Sequence, residues 1–141
     1  MPALHAYFPT TPERDEAWAF SAVRSRLARD GVETEEKVNP FTKKANLKVV
    51  VDAAFHLTVA FESGDEVDAD LRSITGRDES SFSRIRVLSG PDPEGEYTDV
   101  TVELLDLFDS IGPVLVYGVD AESVFADTLA PGAGQRTSPL S

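Results

Sequence analysis

The sequence predicts an α+β fold, and three observations carry that prediction. Short stretches with apolar residues at every second position recur along the chain, stretches with apolar residues at every third and fourth position lie between them, and Gly and Pro separate the two kinds. With 141 residues, 41% of them hydrophobic, the chain suits one core rather than several. Residues 1–130 are therefore expected to form one domain, and 131–141, rich in Pro, Gly, Ser and Thr, a flexible tail.

Leu4, Ala6 and Phe8 alternate with His5 and Tyr7, which predicts a first strand closed by Pro9. Thr11 stands as a helix N-cap with Pro12 at the first helical position and Glu13, Asp15 and Glu16 in the first turn, where the helix dipole favours carboxylates. The apolar stripe of that helix is Phe20, Val23 and Leu27 beside Trp18 and Ala19; Arg24, Arg26 and Arg29 follow, and Asp30-Gly31 stops it. Polar Glu33 to Lys44, with Asn39-Pro40, reads as a long connection with room for one extended edge piece.

Leu47 to Val51 is a β-branched run, and Phe55, Leu57, Val59 and Phe61 alternate with His56, Thr58 and Ala60, so a hairpin is expected across Asp52, Ala53 and Ala54. After the turn at Glu62 to Asp65, Val67, Leu71 and Ile74 predict a helix capped by Ser63 or Asp65 and ended near Gly76. Ser83 to Leu88 alternates again, Ile85 and Val87 against Arg84 and Arg86. Beyond the loop Gly90 to Gly95, Thr98 or Asp99 is expected to cap a helix whose inner face is Val100, Leu104, Leu107, Phe108 and Ile111. Gly112-Pro113 ends that helix, Val114 to Val119 reads as a strand, and Asp120 is expected to cap a last short helix through Phe125.

The order strand, helix, strand, strand, helix, strand is the split βαβ pattern, so the expected architecture is a ferredoxin-like sandwich (βαββαβ) extended by a C-terminal α-β-α segment. In that arrangement the first strand lies beside the third, which would make His5 and His56, the two histidines of the chain, neighbours on one face.

Charge is the strongest functional signal. Twenty-five Asp and Glu against 13 Lys and Arg give a net charge of −12, which argues against a nucleic-acid or anionic-membrane partner and for a basic protein. The imbalance is uneven: residues 1–48 hold 7 acidic and 8 basic side chains, leaving 18 and 5 for residues 49–141. Absence of cysteine excludes disulfides, thiolate metal sites and Cys nucleophiles, and fits a reducing compartment. Met1 to Phe20 carries no basic segment followed by an apolar run, and no stretch approaches a membrane span, so a cytoplasmic location is expected.

Two constellations stand out. Glu96, Tyr97, Asp99, Glu103, Asp106 and Asp109 form a carboxylate-rich stripe at helical spacing, a candidate surface for a basic partner, with Tyr97 and Phe82 as aromatic anchors; an ordinary solvated or salt-adapted face gives the same pattern. His5, Tyr7, Lys48, His56, Arg84 and Arg86 would share the sheet face away from the helices and could hold an anion, or lie covered there.

Other motifs fail. Asp65, Glu66, Asp68 and Asp70 lack the Gly and Glu positions of a calcium loop, Ser80, Ser81 and Ser83 beside Arg77, Asp78 and Glu79 read as a polar loop, and no nucleophile elbow or phosphate loop occurs. No metal or cofactor is expected. The leading expectation is a non-catalytic acidic binding protein, in its sharpest form an immunity-type inhibitor that covers the cationic active site of a basic toxin or nuclease. A ferredoxin-like regulatory or small-ligand-binding domain using its sheet face is the second expectation, and a small enzyme with a pocket on that face the third.

Overall fold

The structure, a computed structural model, describes residues 3–76 and 81–129. The segment 77–80 of the polar loop and the 131–141 tail lie outside the described residues. The described chain is mixed α+β: β1 (Ala3–Pro9), α1 (Glu16–Leu27), β2 (Val32–Val38), β3 (Ala45–Val51), β4 (Phe55–Ser63), α2 (Asp65–Thr75), β5 (Phe82–Ser89), α3 (Thr98–Ser110), β6 (Leu115–Gly118) and β7 (Ser123–Asp127). The strands form one seven-stranded sheet in the order β2-β3-β4-β5-β1-β6-β7, and every neighbouring pair is antiparallel.

That order departs from the split βαβ arrangement. β1 does not enter between β4 and β5; it lies outside β5 and pairs with β5 on one side and β6 on the other. The helices divide accordingly. Phe20, Val23 and Leu27 of α1 and Val100, Leu104 and Phe108 of α3 pack with Ala6, Phe8, Leu57, Val59, Ile85 and Val87 on one face of the sheet. Val67 and Leu71 of α2 pack on the opposite face with Tyr7, Leu115 and the partly buried Phe82. Fully burying each large aromatic of the main core, such as Phe8, Phe20 or Phe108, contributes roughly 1.5–3 kcal/mol.

Helix ends follow local hydrogen bonding more than the expected caps. Asp15, not Thr11, caps α1, accepting from Trp18 N at 2.9 Å, while Thr11 to Arg14 close a turn. α2 begins after Gly64 without a side-chain cap, so Asp65 is its first helical residue, and it stops at Gly76 as expected. At α3 neither Thr98 nor Asp99 is the cap: the Asp92 carboxylate accepts from Glu96 N and Tyr97 N at 3.0 and 2.9 Å, and Thr98 Oγ1 donates to Gly95 O.

Two further corrections concern strands. The extended piece expected within Glu33 to Lys44 is a full edge strand, β2, paired along its whole length with β3. The segment expected as a last helix is strand β7. Helix formation from Asp120 to Phe125 would leave β6 an unpaired edge; instead Asp120 to Glu122 turn and Val124 to Ala126 pair back on β6, with an irregularity at Val116/Tyr117. The hairpin at Asp52 forms as expected: Ala54 N closes the turn on Val51 O, and the two residues between, Asp52 and Ala53, take left-handed φ of 54° and 56°.

Candidate functional site

The sheet-face constellation is reordered by the strand order. His5, Tyr7, Arg84, Arg86, Lys48 and His56 do share the face opposite α1 and α3, but β5 separates the two histidines. His5 opposes Arg86, Arg86 opposes Ala60, and His56 lies four residues further along β4, which puts the histidines roughly 16 Å apart from strand spacing and rise. They form no joint site. Lys48 Nζ donates to Thr58 Oγ1 at 3.1 Å, and His56 is exposed away from the others.

What converges on this face is a closed ion network around Arg84, which is 5% exposed. Its Nε and Nη2 lie 2.7 and 2.6 Å from Glu62 Oε1, and Nη1 donates to Asp70 Oδ2 at 2.7 Å and to the Tyr7 hydroxyl at 3.3 Å. The Arg84 guanidinium also sits 5.6 Å from the Tyr7 ring centroid. Arg86 reaches the other oxygen of Glu62 at 3.3 Å. His5 borders the network, its Nδ1 3.3 Å from the Tyr7 hydroxyl. Burial, together with the positive charges of Arg84 and Arg86, pushes the His5 pKa down to about 4, and burial raises that of Tyr7. All three guanidinium nitrogens of Arg84 are engaged by the protein itself, so it locks β1, β4, β5 and α2 together rather than awaiting an anion. Of its partners, Glu62 stood in the sequence only as a turn residue and Asp70 only in the failed calcium-loop cluster, neither as a partner of Arg84.

The α3 carboxylates divide into tied and free. Asp99 pairs with Arg29 of the α1 C-terminus, and that contact holds the Asp99 carboxyl below its usual range. Glu103 is half-buried beside Arg26 and Arg29 around a small cavity. Tyr97 stacks on Phe55, centroids 4.8 Å apart and rings 6° from parallel, and Phe82 packs in the α2 core, so neither is a free aromatic anchor. Glu96 lies in the loop ahead of α3. Asp106 and Asp109 are exposed and make no ion pair among the described residues, with Val102, 49% exposed, on the same outward surface.

Beside that surface lies a cavity of about 200 Å³, floored by Leu57, Val87 and Gly118 and walled by Leu4, Thr101 and Leu104, with Phe125 over it. A Cβ on Gly118 would clash with the tip of the Phe125 ring, so this glycine is what lets the ring lie against β6. Phe125 remains 50% exposed, and Asp120, at the cavity mouth, is the one charged lining residue. Leu105, one helical turn beyond Thr101, extends the apolar wall along α3 toward Asp109. The sequence offers one signal for this place, an aromatic residue facing a glycine across two strands, legible only once 123–127 is recognised as a strand.

Among the described residues no group of three or more His, Asp or Glu is arranged to hold a metal ion, and Asp65, Glu66, Asp68 and Asp70 diverge: Asp68 accepts from Ser81 N and Phe82 N while Asp70 turns to Arg84. No helix among them is long and apolar enough to cross a membrane. The chain matches no family model, no curated protein and no solved structure.

Proposed function

We propose that the protein is a binding protein whose α3–β7 flank receives an apolar side chain carried on a basic protein surface. The observation that carries this reading is the coincidence, on one flank, of the Phe125 cavity with the exposed carboxylates Asp106, Asp109 and Asp120. The cavity volume of about 200 Å³ is below the roughly 300–1,000 Å³ of small-molecule pockets and suits a single anchoring side chain. Surrounding carboxylates would steer a cationic partner and penalise an anionic one, while the apolar anchor sets residence time. Its sharpest form is an immunity-type inhibitor that covers the cationic active site of a basic toxin or nuclease; the net charge of −12 supports that form.

A short peptide of Arg and Leu residues, fluorescently labelled, tests the reading by anisotropy at low and moderate salt. Binding should weaken several-fold in Asp106→Asn/Asp109→Asn with a flatter salt dependence, and should weaken in Phe125→Ser at every salt concentration. Equal affinity for the wild type and both variants would refute it.

A further inference from the structure

We infer that the outer edge of β2 pairs with the same edge of a second copy of this chain, in one register, to join two sheets into one. This rests on β2 alone and is independent of the α3–β7 reading.

Among the described residues β2 is bonded on one side only. The ladder to β3 runs through odd-numbered residues, as the flanking bonds Asp52 N to Gly31 O and Asn39 N to Lys44 O show in the same register. The main-chain groups of Thr34, Glu36 and Val38 therefore point outward, without a partner among the described residues, as does the carbonyl of Val32, whose N–H is taken by Arg29 O. Val38 is 60% exposed. Edges in this state are templates for another strand, and charged side chains decide which strand can use them.

Antiparallel self-pairing centred on Glu35 satisfies those constraints together. It sets Thr34 and Glu36 of one copy against Glu36 and Thr34 of the other, so that the unpaired groups bond each other. On the helix-facing side Val32 meets Val38 at both ends; on the opposite side Glu33 meets Lys37, also twice. Glu35 meets its own copy on the two-fold axis, but each Glu35 already has Lys37 Nζ at 3.3 Å and lies opposite Lys48 across β3. Glu36 is held by Arg24 at 2.8 Å. Of the neighbouring registers that keep the same hydrogen-bonding parity, one sets Glu33 against Glu35 twice, which like-charge repulsion disfavours, and the other, centred on Glu36, gives up both Val32–Val38 contacts and shortens the paired length.

The long-range field points to the same edge. Two molecules of charge −12 repel, and the least repulsive approach is through the part of the chain where acids and bases balance: residues 1–48 hold 7 acidic and 8 basic side chains, a net of +1, and β2 lies among them. Continuing the register past Val32 carries the 39–44 tip, with Phe41 91% exposed, alongside the Arg29 to Gly31 turn of the second copy.

Sedimentation equilibrium of the full chain between about 1 μM and 1 mM, at physiological salt to screen the net charge, reads the association directly. The wild type should dimerise reversibly. Glu33→Lys and Lys37→Glu should each weaken the dimer about tenfold or more, and the double variant Glu33→Lys/Lys37→Glu should recover most of the loss. Amide exchange at Thr34, Glu36 and Val38 should slow as concentration rises. A wild type that stays monomeric to 1 mM, a dimer indifferent to both single substitutions, or a double variant weaker than either single one would overturn the proposal.

Discussion

Replacing Arg84 by leucine removes the cation from a cluster that keeps two carboxylates facing one another across the sheet and α2. Glu62 is 23% exposed at its side chain and Asp70 53%, against 6% for Arg84 itself. Removing one partner of a fully buried ion pair costs about 3–5 kcal/mol, because the other charge is left in a poor solvent. Here Asp70 is half in water and Glu62 keeps Arg86 at 3.3 Å, so the loss should be smaller, about 2–4 kcal/mol, or roughly 5–15 °C in melting temperature. Arg84→Lys, which retains the charge but not the fork that reaches Glu62, Asp70 and Tyr7 together, should lose about half as much. Urea unfolding followed by circular dichroism measures both. Adding Glu62→Gln to Arg84→Leu should return part of the stability, since the stranded charge is then neutral. A loss below about 1 kcal/mol for Arg84→Leu, or no recovery with Glu62→Gln, would refute the claim that this network is closed and structural.

Three further outcomes follow from local geometry. Unfolded His5 takes its proton near pH 6.5 and folded His5 only near 4, so lowering the pH between those values protonates the unfolded chain first and lowers stability. After allowing for the solvent the half-exposed ring still meets, the loss is about 1–2 kcal/mol; it is absent above pH 6.5, and a His5→Gln protein with the same pH slope as wild type would contradict it. Ala53→Gly should raise stability by about 0.5–1 kcal/mol in thermal unfolding, because alanine holds φ at 56° against its steric preference, and a loss would show that the turn is not under that strain. Gly118→Ala should swing the Phe125 ring off β6 at a cost of about 1–2 kcal/mol and weaken the Arg/Leu peptide, whereas unchanged binding would detach the cavity from the site.

The alternating strands were legible because burial on one face imposes a period of two: β1, β3, β4 and β5 stand where the pattern puts them. β6 and β7 show where that signal ends. Val124 and Phe125 are exposed on an edge, so no alternation marks them, and the acidic turn at Asp120 reads equally well as a helix cap. Strand order was not legible, since pairing depends on which sheet edge β1 meets, and no local periodicity encodes that. Site prediction failed with it: the same face was inferred for His5 and His56, but their separation is set by the intervening β5. In the acidic stripe, spacing along α3 identified the exposed face of Asp106 and Asp109 but could not show that Arg29, 70 residues earlier, neutralises Asp99.

Amide chemical-shift mapping with the Arg/Leu peptide shows whether the α3–β7 flank is the docking surface. Saturable shifts should centre on Thr101, Leu105, Asp109, Asp120 and Phe125, with β2 and β3 unmoved. Shifts centred on His56, Thr58 and Arg86 instead, or spread evenly over every acidic surface, would contradict it.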